Sequence, residues 1–255
     1  MILAIDVGNT NVVMGCIDGD KISHVSRMAT DQTKTEHEYA AIIRQILHFD
    51  GIEGRDFDGA IIASVALQLT GTLRRAVEIF TGLEPIIVGA GIKTGLNILL
   101  DNPAQLGADL VCGAVAALAQ CKPPIIVIDM GTATTLSVID KNANFLGGAI
   151  VPGLRLAQNA LSGGTSQLPA VDIEAPAKII GRNTIECMRS GSILGTASML
   201  DGMIARFEAE LGQQAHVIAT GGLAQKVIPY CSREIEFDDL LLLRGLAILY
   251  NKNKR

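Results

Sequence analysis

The sequence predicts a mixed α/β protein built from two duplicated domains. The first observation is that the segment "IDVGNTN" near the N-terminus returns in the second half as "IDMGTATT". In both copies an apolar run ends in an aspartate, a glycine and small hydroxyl or amide residues. The second observation is a composition of 49% hydrophobic residues, 4% aromatic residues and 27 glycines, which indicates an aliphatic core with many tight turns. A chain of 255 residues is long enough for two such domains.

The first half is predicted to begin with a three-stranded meander and to continue into a helix. Its strands are Ile2–Ile5, Asn11–Ile17 and Lys21–Ala29, and the hairpin turn "DGD" joins the last two. The segment "TKTEHEYAAIIRQILHFD" follows, with a capping box of Thr35 and Glu38 ahead of apolar residues at helical spacing. A further buried strand is predicted at Gly59–Val65.

The second half repeats this plan. Its strands are Ile125–Ile128, Thr134–Ile139 and Phe145–Val151. A long helix is predicted at Thr184–Leu211 and another strand at His216–Gly222. Two prolines in "CKPPI", Cys121–Ile125, break the preceding helix, so we place the boundary there, with domains 1–121 and 122–255. A repeat of about half the chain indicates duplication rather than a solenoid.

Composition also argues against several classes of function. The net charge of −5 does not favour nucleic acid as a partner, and we expect the basic run "NKNKR" to be a solvated tail. Asp6 interrupts the first apolar run, so no signal peptide is expected. The uninterrupted apolar stretches are all shorter than the roughly 18 residues of a membrane span, so no membrane association is expected. The five cysteines show no C-x-x-C pair and are expected to be reduced, buried thiols of a cytoplasmic protein. The four scattered histidines make a zinc site improbable.

The two acidic turns have the residues of a phosphate-binding site. Glycine at Gly8 and Gly131 allows close approach of the backbone to a phosphate. Nearby donors are Asn9, Thr10, Thr132 and Thr134. Asp6 and Asp129 would repel phosphate unless a cation lay between them, so they are predicted to be cation-associated carboxylates beside a nucleotide. The alternative is an ordinary strand-to-hairpin turn, in which the aspartate accepts local N–H bonds.

A third acid lies in "NPAQLGADLVCGAVAALAQ". Pro103 suits the start of a helix, which would place Asp109 near its first turn. An apolar stripe follows at Leu106, Leu110, Ala114 and Leu118. A first-turn acid complements the helix dipole, so this pattern alone leaves a structural role for Asp109 open beside a catalytic one.

The paired turns resemble the phosphate-1 and phosphate-2 loops of the actin, sugar kinase and Hsp70 ATPase superfamily, and "ATGG" (Ala219–Gly222) resembles its adenosine loop. Within that superfamily, six segments resemble type III pantothenate kinase in the family's order: "DVGNTN", "DNPAQLGAD", "DMGTATT", "GGAIVPG", "GRNT" and "LLLLRGL". They cover essentially the whole chain. The resemblance implies two duplicated ribonuclease H-like (actin-like ATPase) domains with a nucleotide cleft between them.

The resemblance also implies the reaction and its residues. It is the transfer of the ATP γ-phosphoryl group to pantothenate, with Asp109 as catalytic base, Mg²⁺ at Asp6 and a monovalent cation (K⁺ or NH₄⁺) at Asp129. The implied nucleotide-binding residues are Asp6, Val7, Gly8, Asn9, Thr10, Asn11 and Thr132. The implied substrate-binding residues are Gly107, Ala108, Asp109 and Thr184. A homodimer is implied as well, with the second domain forming most of the contact.

Two substrate-side positions depart from the family pattern. Leu100 replaces the tyrosine of Y-D-N-P, and Leu110 replaces the arginine of G-A-D-R. A charge-assisted hydrogen bond contributes about 1.5–3 kcal/mol, so its loss would weaken substrate binding about tenfold to a few hundredfold. Three interpretations stay open: a weak or compensated pantothenate kinase, a kinase of another small hydroxylated acceptor, and a non-catalytic member resembling the accessory-factor regulators of this fold.

Overall fold

The computed structural model describes residues 1–254. The strands are β1 (Ile2–Val7), β2 (Asn11–Asp18), β3 (Lys21–Ala29), β4 (Gly59–Ser64), β5 (Ile86–Ile87), β6 (Asn97–Ile98), β7 (Ile125–Met130), β8 (Ala133–Ile139), β9 (Asn144–Pro152), β10 (His216–Thr220) and β11 (Glu236–Phe237). The helices are α1 (Glu36–His48), α2 (Leu67–Thr81), α3 (Ala108–Gln120), α4 (Leu154–Gly164), α5 (Thr184–Leu211), α6 (Ala224–Val227) and α7 (Leu241–Asn253). Each predicted strand is therefore confirmed, as are the predicted helices α1 and α5, with ends shifted by at most a few residues.

The described chain forms two compact units, and neither is a single segment. The first unit contains Met1–Leu96, Asp101–Ala119 and the residues from Leu240 onward, while the second contains Asn97–Leu100 and Gln120–Asp239. The two units therefore do not coincide with the predicted domains 1–121 and 122–255, because each unit includes segments from both halves of the chain. Strand β6 leaves the first half because it pairs with β9 in the second sheet, and α7 returns to the first unit.

The first sheet has the strand order β3-β2-β1-β4-β5. Strand β1 lies at its centre, antiparallel to β2 and parallel to β4. Because side chains alternate along a strand, Leu3 and Ile5 lie in the apolar cluster formed with α1 and α2, whereas Ala4 lies in the cluster formed with α3 and α7. Asp6 therefore points to the same face as Ala4, toward α3 and α7.

The second sheet repeats this arrangement. Its order is β11-β10-β7-β8-β9-β6, so the five strands from β9 to β11 reproduce the order of the first sheet. Strand β7 takes the place of β1, antiparallel to β8 and parallel to β10. Ile126, Ile128 and Met130 pack in one cluster with residues of α4, α5 and α6. Asp129 consequently points to the opposite face of its sheet.

Two local predictions are corrected. Pro103 does not begin α3: it begins a separate 3₁₀ turn, Pro103–Gln105, capped by the Asn102 side chain. The basic run predicted to be a solvated tail is mostly exposed, as expected, but its first three residues end α7. Lys252 donates to the carbonyl of Thr94 (3.0 Å) and the Asn253 amide donates to that of Lys93 (3.0 Å). Arg255, the last residue of that predicted tail, lies outside the described residues.

The cysteine prediction holds in part. All five cysteines are free thiols, and Cys16, Cys112 and Cys121 are buried. Cys231 is half-buried and Cys187 is exposed, contrary to the expectation that all would be buried. Within residues 1–254, none of the helices combines the length and apolarity needed to cross a membrane.

Candidate active site

The first acidic turn connects the central strand β1 to β2. Asp6 is the penultimate residue of β1 and is half-buried between buried neighbours. The turn closes through a bond from the Gly8 N–H to the Asn11 carbonyl (2.9 Å). Thr30 holds it from the side, because its hydroxyl donates to the Gly8 carbonyl (2.7 Å) and its N–H donates to the carbonyl of Thr10 (3.0 Å). The turn is thus fixed through its carbonyl groups.

The side chains of the first turn face solvent. Asn9 and Thr10 are exposed, whereas Val7 is buried and Asn11 begins β2. The predicted nucleotide-binding residues of this turn therefore fall into two groups. Val7 and Asn11 set the position of the backbone, and Asn9 and Thr10 form the exposed part of the turn.

The second turn repeats the aspartate and glycine positions of the first, but it is one residue shorter, because β8 begins at Ala133. Asp129 is the penultimate residue of β7 and half-buried, and the Gly131 N–H donates to the Ala133 carbonyl (3.1 Å). The carboxylate of Asp129 lies against Gly131, where an added Cβ would be 3.7 Å from Oδ1. Thr132 is exposed, and its carbonyl accepts from the Gly153 N–H (3.1 Å). The in-register repeat predicted from sequence is therefore present in the structure.

Two glycines allow backbone to pack against this second turn. A Cβ at Gly153 would lie 2.3 Å from the Thr132 carbonyl oxygen. Gly221, which follows β10, has a φ of +100°, and a Cβ there would lie 2.6 Å from the carbonyl carbon of Met130. The segment that resembles an adenosine loop, Ala219–Gly222, thus begins in the strand next to β7 and turns away at a position where only glycine fits.

Asp109 lies in the first turn of α3, as predicted. Its Oδ1 accepts the N–H of Leu110 (2.7 Å). Burial raises the pKa of Asp109 above its ordinary value, and its backbone hydrogen bonds offset only part of that rise. Gly107 provides the space for this carboxylate, because a Cβ at residue 107 would lie 2.4 Å from Asp109 Oδ1. Ala108, the next predicted substrate residue, is buried.

Asp6 and Asp109 lie on the side of the first sheet that holds the buried thiol of Cys112. This thiol is fully buried one helical turn after Asp109. Its pKa is raised well above the ordinary value, first by burial and then by the negative charges of Asp6 and Asp109. The structure therefore brings two of the three predicted acids to one face of the first sheet. Sequence reasoning predicted Cys112 as a buried thiol but did not connect it with Asp109, although the i+3 spacing places both on one face of α3.

The remaining predicted substrate residue is in the second unit. Thr184 is the exposed first residue of α5, and Asn183 caps this helix by accepting the Glu186 N–H (2.9 Å). Gly181 packs against the same turn, since a Cβ there would lie 2.5 Å from the Cys187 nitrogen. The "GRNT" segment is therefore a fixed helix entrance that displays Thr184.

The two departures from the family pattern have different surroundings. Leu100 lies beside Gly147 of β9, where an added Cβ would be 3.3 Å from its Cδ2. Leu110 is half-buried next to Asp109, whereas Ala108 and Val111 belong to the apolar cluster of α3 and α7. The Leu110 side chain is therefore partly open to solvent next to Asp109, which is itself half-buried.

Comparison with known proteins gives consistent matches. A family model described as type III pantothenate kinase matches residues 2–206. The type III pantothenate kinase of Moorella thermoacetica is 40% identical over 253 residues, covering 99% of this chain and 100% of the relative. That of Geobacillus sp. (strain WCH70) is 42% identical, covering 99% of this chain and 98% of the relative.

Solved structures match across the chain at low identity. A conserved putative Baf family transcriptional activator from Campylobacter jejuni has a TM-score of 0.62 and 18% identity, with 98% of each chain covered. A ROK family glucokinase from Streptomyces griseus, solved with glucose and AMPPNP, has a TM-score of 0.57 and 14% identity, also with 98% of each chain covered. These likenesses, together with the repeated strand order, confirm the predicted pair of ribonuclease H-like domains.

Proposed function

Because this chain belongs to the type III pantothenate kinase family, we propose that it transfers the γ-phosphoryl group of ATP to the primary hydroxyl of pantothenate. The product is 4′-phosphopantothenate, the first intermediate of coenzyme A synthesis. The observation that carries this proposal is the full-length similarity to curated relatives of that name. The two repeated acidic turns and the half-buried acid on α3 are the kinds of group that phosphoryl transfer requires.

Asp109 is the proposed general base. A base must be ionised when the acceptor hydroxyl arrives and must then take up its proton, so a pKa above the usual aspartate range makes the carboxylate a more effective acceptor. Burial provides that rise. The Leu110 N–H holds Oδ1, which fixes the orientation of the carboxyl group and leaves Oδ2 for the substrate hydroxyl.

The two glycine turns are the proposed phosphate-binding elements. Backbone N–H groups and the exposed side chains of Asn9, Thr10 and Thr132 would donate to ATP oxygens. Half-buried carboxylates directly before the turns are hard oxygen ligands, which suits Mg²⁺ at Asp6 and a K⁺ or NH₄⁺ ion at Asp129. Mg²⁺ held by Asp6 would supply positive charge that offsets the negative charge developing on the phosphoryl group during transfer.

A coupled ADP-release assay tests this function. We expect ADP release to require pantothenate and Mg²⁺ and to increase when K⁺ or NH₄⁺ replaces Na⁺. If ADP release does not depend on pantothenate but increases with another small hydroxylated acid, then that acid is the acceptor. The absence of turnover with every acceptor would support the non-catalytic interpretation, and equal rates in Na⁺ and K⁺ would contradict a monovalent site at Asp129.

Leu110 offers a direct test of the acceptor side. Leu110→Arg is expected to lower the KM for pantothenate about tenfold or more, because it restores one charge-assisted hydrogen bond beside the base. The KM for ATP should stay nearly unchanged, since Leu110 belongs to neither glycine turn. Ala119→Arg, at an exposed position near the end of the same helix, is the control for added charge. An unchanged pantothenate KM at a normal melting temperature would mean that the acceptor is recognised elsewhere.

A homodimer formed by the second unit is part of the proposal. Ile179 and Ile180 are 72% and 78% exposed, just before the "GRNT" segment. They are not on a loose loop, because the Ser190 hydroxyl of α5 donates to the Ile179 carbonyl (2.6 Å). A fixed pair of exposed isoleucines is typical of a surface that a second copy covers. Light scattering is expected to give twice the monomer mass of 26.9 kDa, and Ile180→Asp should reduce it. A monomer mass for the wild-type chain would contradict this.

A further inference from the structure

A cysteine, a histidine and a glutamate meet within the second unit, away from the second acidic turn. One ligand atom each from Cys121, His216 and Glu236 lie within 4.8 Å of one another. The His216 Nε2 and Glu236 Oε2 atoms are 2.8 Å apart. The scattered histidines suggested that a zinc site was improbable, but the second sheet brings one of them to a cysteine and a carboxylate.

The fold positions each of the three side chains. Cys121 directly follows α3, on the connection into β7. His216 begins β10, where its backbone N–H donates to the Pro124 carbonyl (2.9 Å). Glu236 begins β11, which pairs with β10 in parallel with Ile218 opposite Glu236. The three residues are therefore held by backbone hydrogen bonds or by adjacent regular elements, and not by a free loop.

We propose that Cys121, His216 and Glu236 form a Zn²⁺-binding site. A thiolate, an imidazole and a carboxylate are the three side-chain types that bind Zn²⁺, and three protein ligands leave a fourth position for a water molecule. The soft sulfur atom favours Zn²⁺ over Mg²⁺, so this site selects a different cation from the all-oxygen carboxylates of the acidic turns.

The geometry is close to that of a zinc site. Bonds of about 2.0–2.3 Å place tetrahedral ligand atoms roughly 3.3–3.7 Å apart. The His216 and Glu236 atoms must separate by less than about 1 Å, and the most distant pair must approach by about 1 Å, which side-chain rotation permits. Access comes from solvent, since the side chains of His216 and Glu236 are 42% and 49% exposed. Cys121 is buried and closes the inner side.

The alternative is that Cys121 and His216 form a nucleophilic pair. Such a cysteine needs a lowered pKa and access to a substrate. Burial, with a smaller contribution from Glu236, instead raises the pKa of Cys121 to about 11. The thiol is also only 7% exposed, so a nucleophilic role is disfavoured.

The site lies at the opposite end of its strands from the second acidic turn. His216 pairs with Ile125, and Thr220 pairs with Asp129, so four residues, or about 13 Å, separate the two ends. A metal bound there would connect the start of β7, β10 and β11 without contacting phosphate. We therefore assign it a stabilising role in the second unit, separate from the proposed catalysis.

Cobalt titration of the full-length, chelator-treated protein tests the proposal. Tetrahedral Co²⁺ bound to a thiolate gives a charge-transfer band in the near ultraviolet, whereas Co²⁺ at oxygen sites does not. We expect this band in the wild-type protein, its displacement by Zn²⁺, and its loss in Cys121→Ser. Cys187→Ser and Cys231→Ser should retain it. No band at excess Co²⁺, or a band that persists in Cys121→Ser, overturns the proposal.

A second variant keeps the test decisive if Cys121→Ser fails to fold. Glu236 is exposed, so Glu236→Gln should preserve the fold. This variant removes a carboxylate ligand. Loss of an outer-shell partner weakens metal binding about 10–100-fold, so loss of a direct ligand is expected to weaken Zn²⁺ binding, measured by calorimetry, by more than that. Zn²⁺ should also raise the melting temperature of the wild type more than that of Glu236→Gln. Equal Zn²⁺ affinities for the two proteins would overturn the assignment of Glu236 as a ligand.

Discussion

Replacing Asp109 with asparagine is expected to lower kcat about 10²–10⁴-fold, because the amide cannot accept the proton of the acceptor hydroxyl. The same change should raise the melting temperature at neutral pH. The Oδ1 atom of the substituted amide can still accept the Leu110 N–H, so the helix turn is retained. What is removed is an ionised carboxylate that burial destabilises. Steady-state kinetics and thermal melting on the same preparations measure both effects.

The raised pKa of Asp109 also determines how the melting temperature and kcat should change with pH. Burial raises the Asp109 pKa above its unfolded value, so the native chain holds this proton more tightly than the unfolded chain. The native state is favoured while Asp109 is protonated and loses that advantage as the pH rises through the raised pKa. The melting-temperature gain of Asp109→Asn should therefore shrink as the pH is lowered, and wild-type kcat should fall over the same range.

Asp20→Asn, in the exposed turn between β2 and β3, is the matched control and should change neither quantity. A kcat for Asp109→Asn close to that of the wild type would exclude Asp109 as the base. A lower melting temperature at neutral pH would contradict the view that its buried charge destabilises the fold.

Gly221→Ala is expected to damage both stability and nucleotide binding. The φ of +100° is unfavourable for alanine, and the new Cβ would lie 2.6 Å from the Met130 carbonyl carbon. Backbone strain alone is expected to lower the free energy of unfolding by about 1–3 kcal/mol, and the steric conflict is expected to lower it by a similar amount. Because Met130 immediately precedes Gly131, relief of the conflict would displace the second turn. A lower free energy of unfolding in urea and a higher KM for ATP should appear together.

Gly71→Ala is the control for this substitution. Gly71 lies on an exposed part of α2 with open space around the position of a Cβ, so alanine should stabilise the helix by roughly 0.5–1 kcal/mol. A Gly221→Ala protein with wild-type stability and an unchanged KM for ATP would show that the second turn does not depend on this glycine.

Local sequence patterns were sufficient to predict the duplicated meander. Continuous apolar runs predicted β1 and β7, and the aspartates that follow them predicted the ends of both strands to within two residues, because these features depend on near neighbours. The capping box of Thr35 and Glu38 was confirmed for the same reason. By contrast, Pro103 was assigned to the wrong element, since proline suits the first position of a 3₁₀ turn as well as of a helix.

Contacts between distant segments could not be predicted in this way. The end of α7 has the composition of a solvated tail, and only its bonds to Lys93 and Thr94 show that it is held. The placement of Asp6 and Asp109 on one side of the first sheet depends on α3 packing over the face of β1 that carries Ala4. Similarly, His216 and Glu236 become neighbours only because β10 and β11 pair.

The most direct test of the central claim is identification of the product. The purified protein is incubated with ATP, Mg²⁺, K⁺ and pantothenate, and the mixture is analysed by phosphorus NMR and mass spectrometry. We predict one new phosphomonoester whose phosphorus couples to the methylene protons of the former primary hydroxyl, formed in step with ADP and not formed by Asp109→Asn. Inorganic phosphate in place of this ester, or unchanged ATP and pantothenate after prolonged incubation, would contradict a pantothenate kinase.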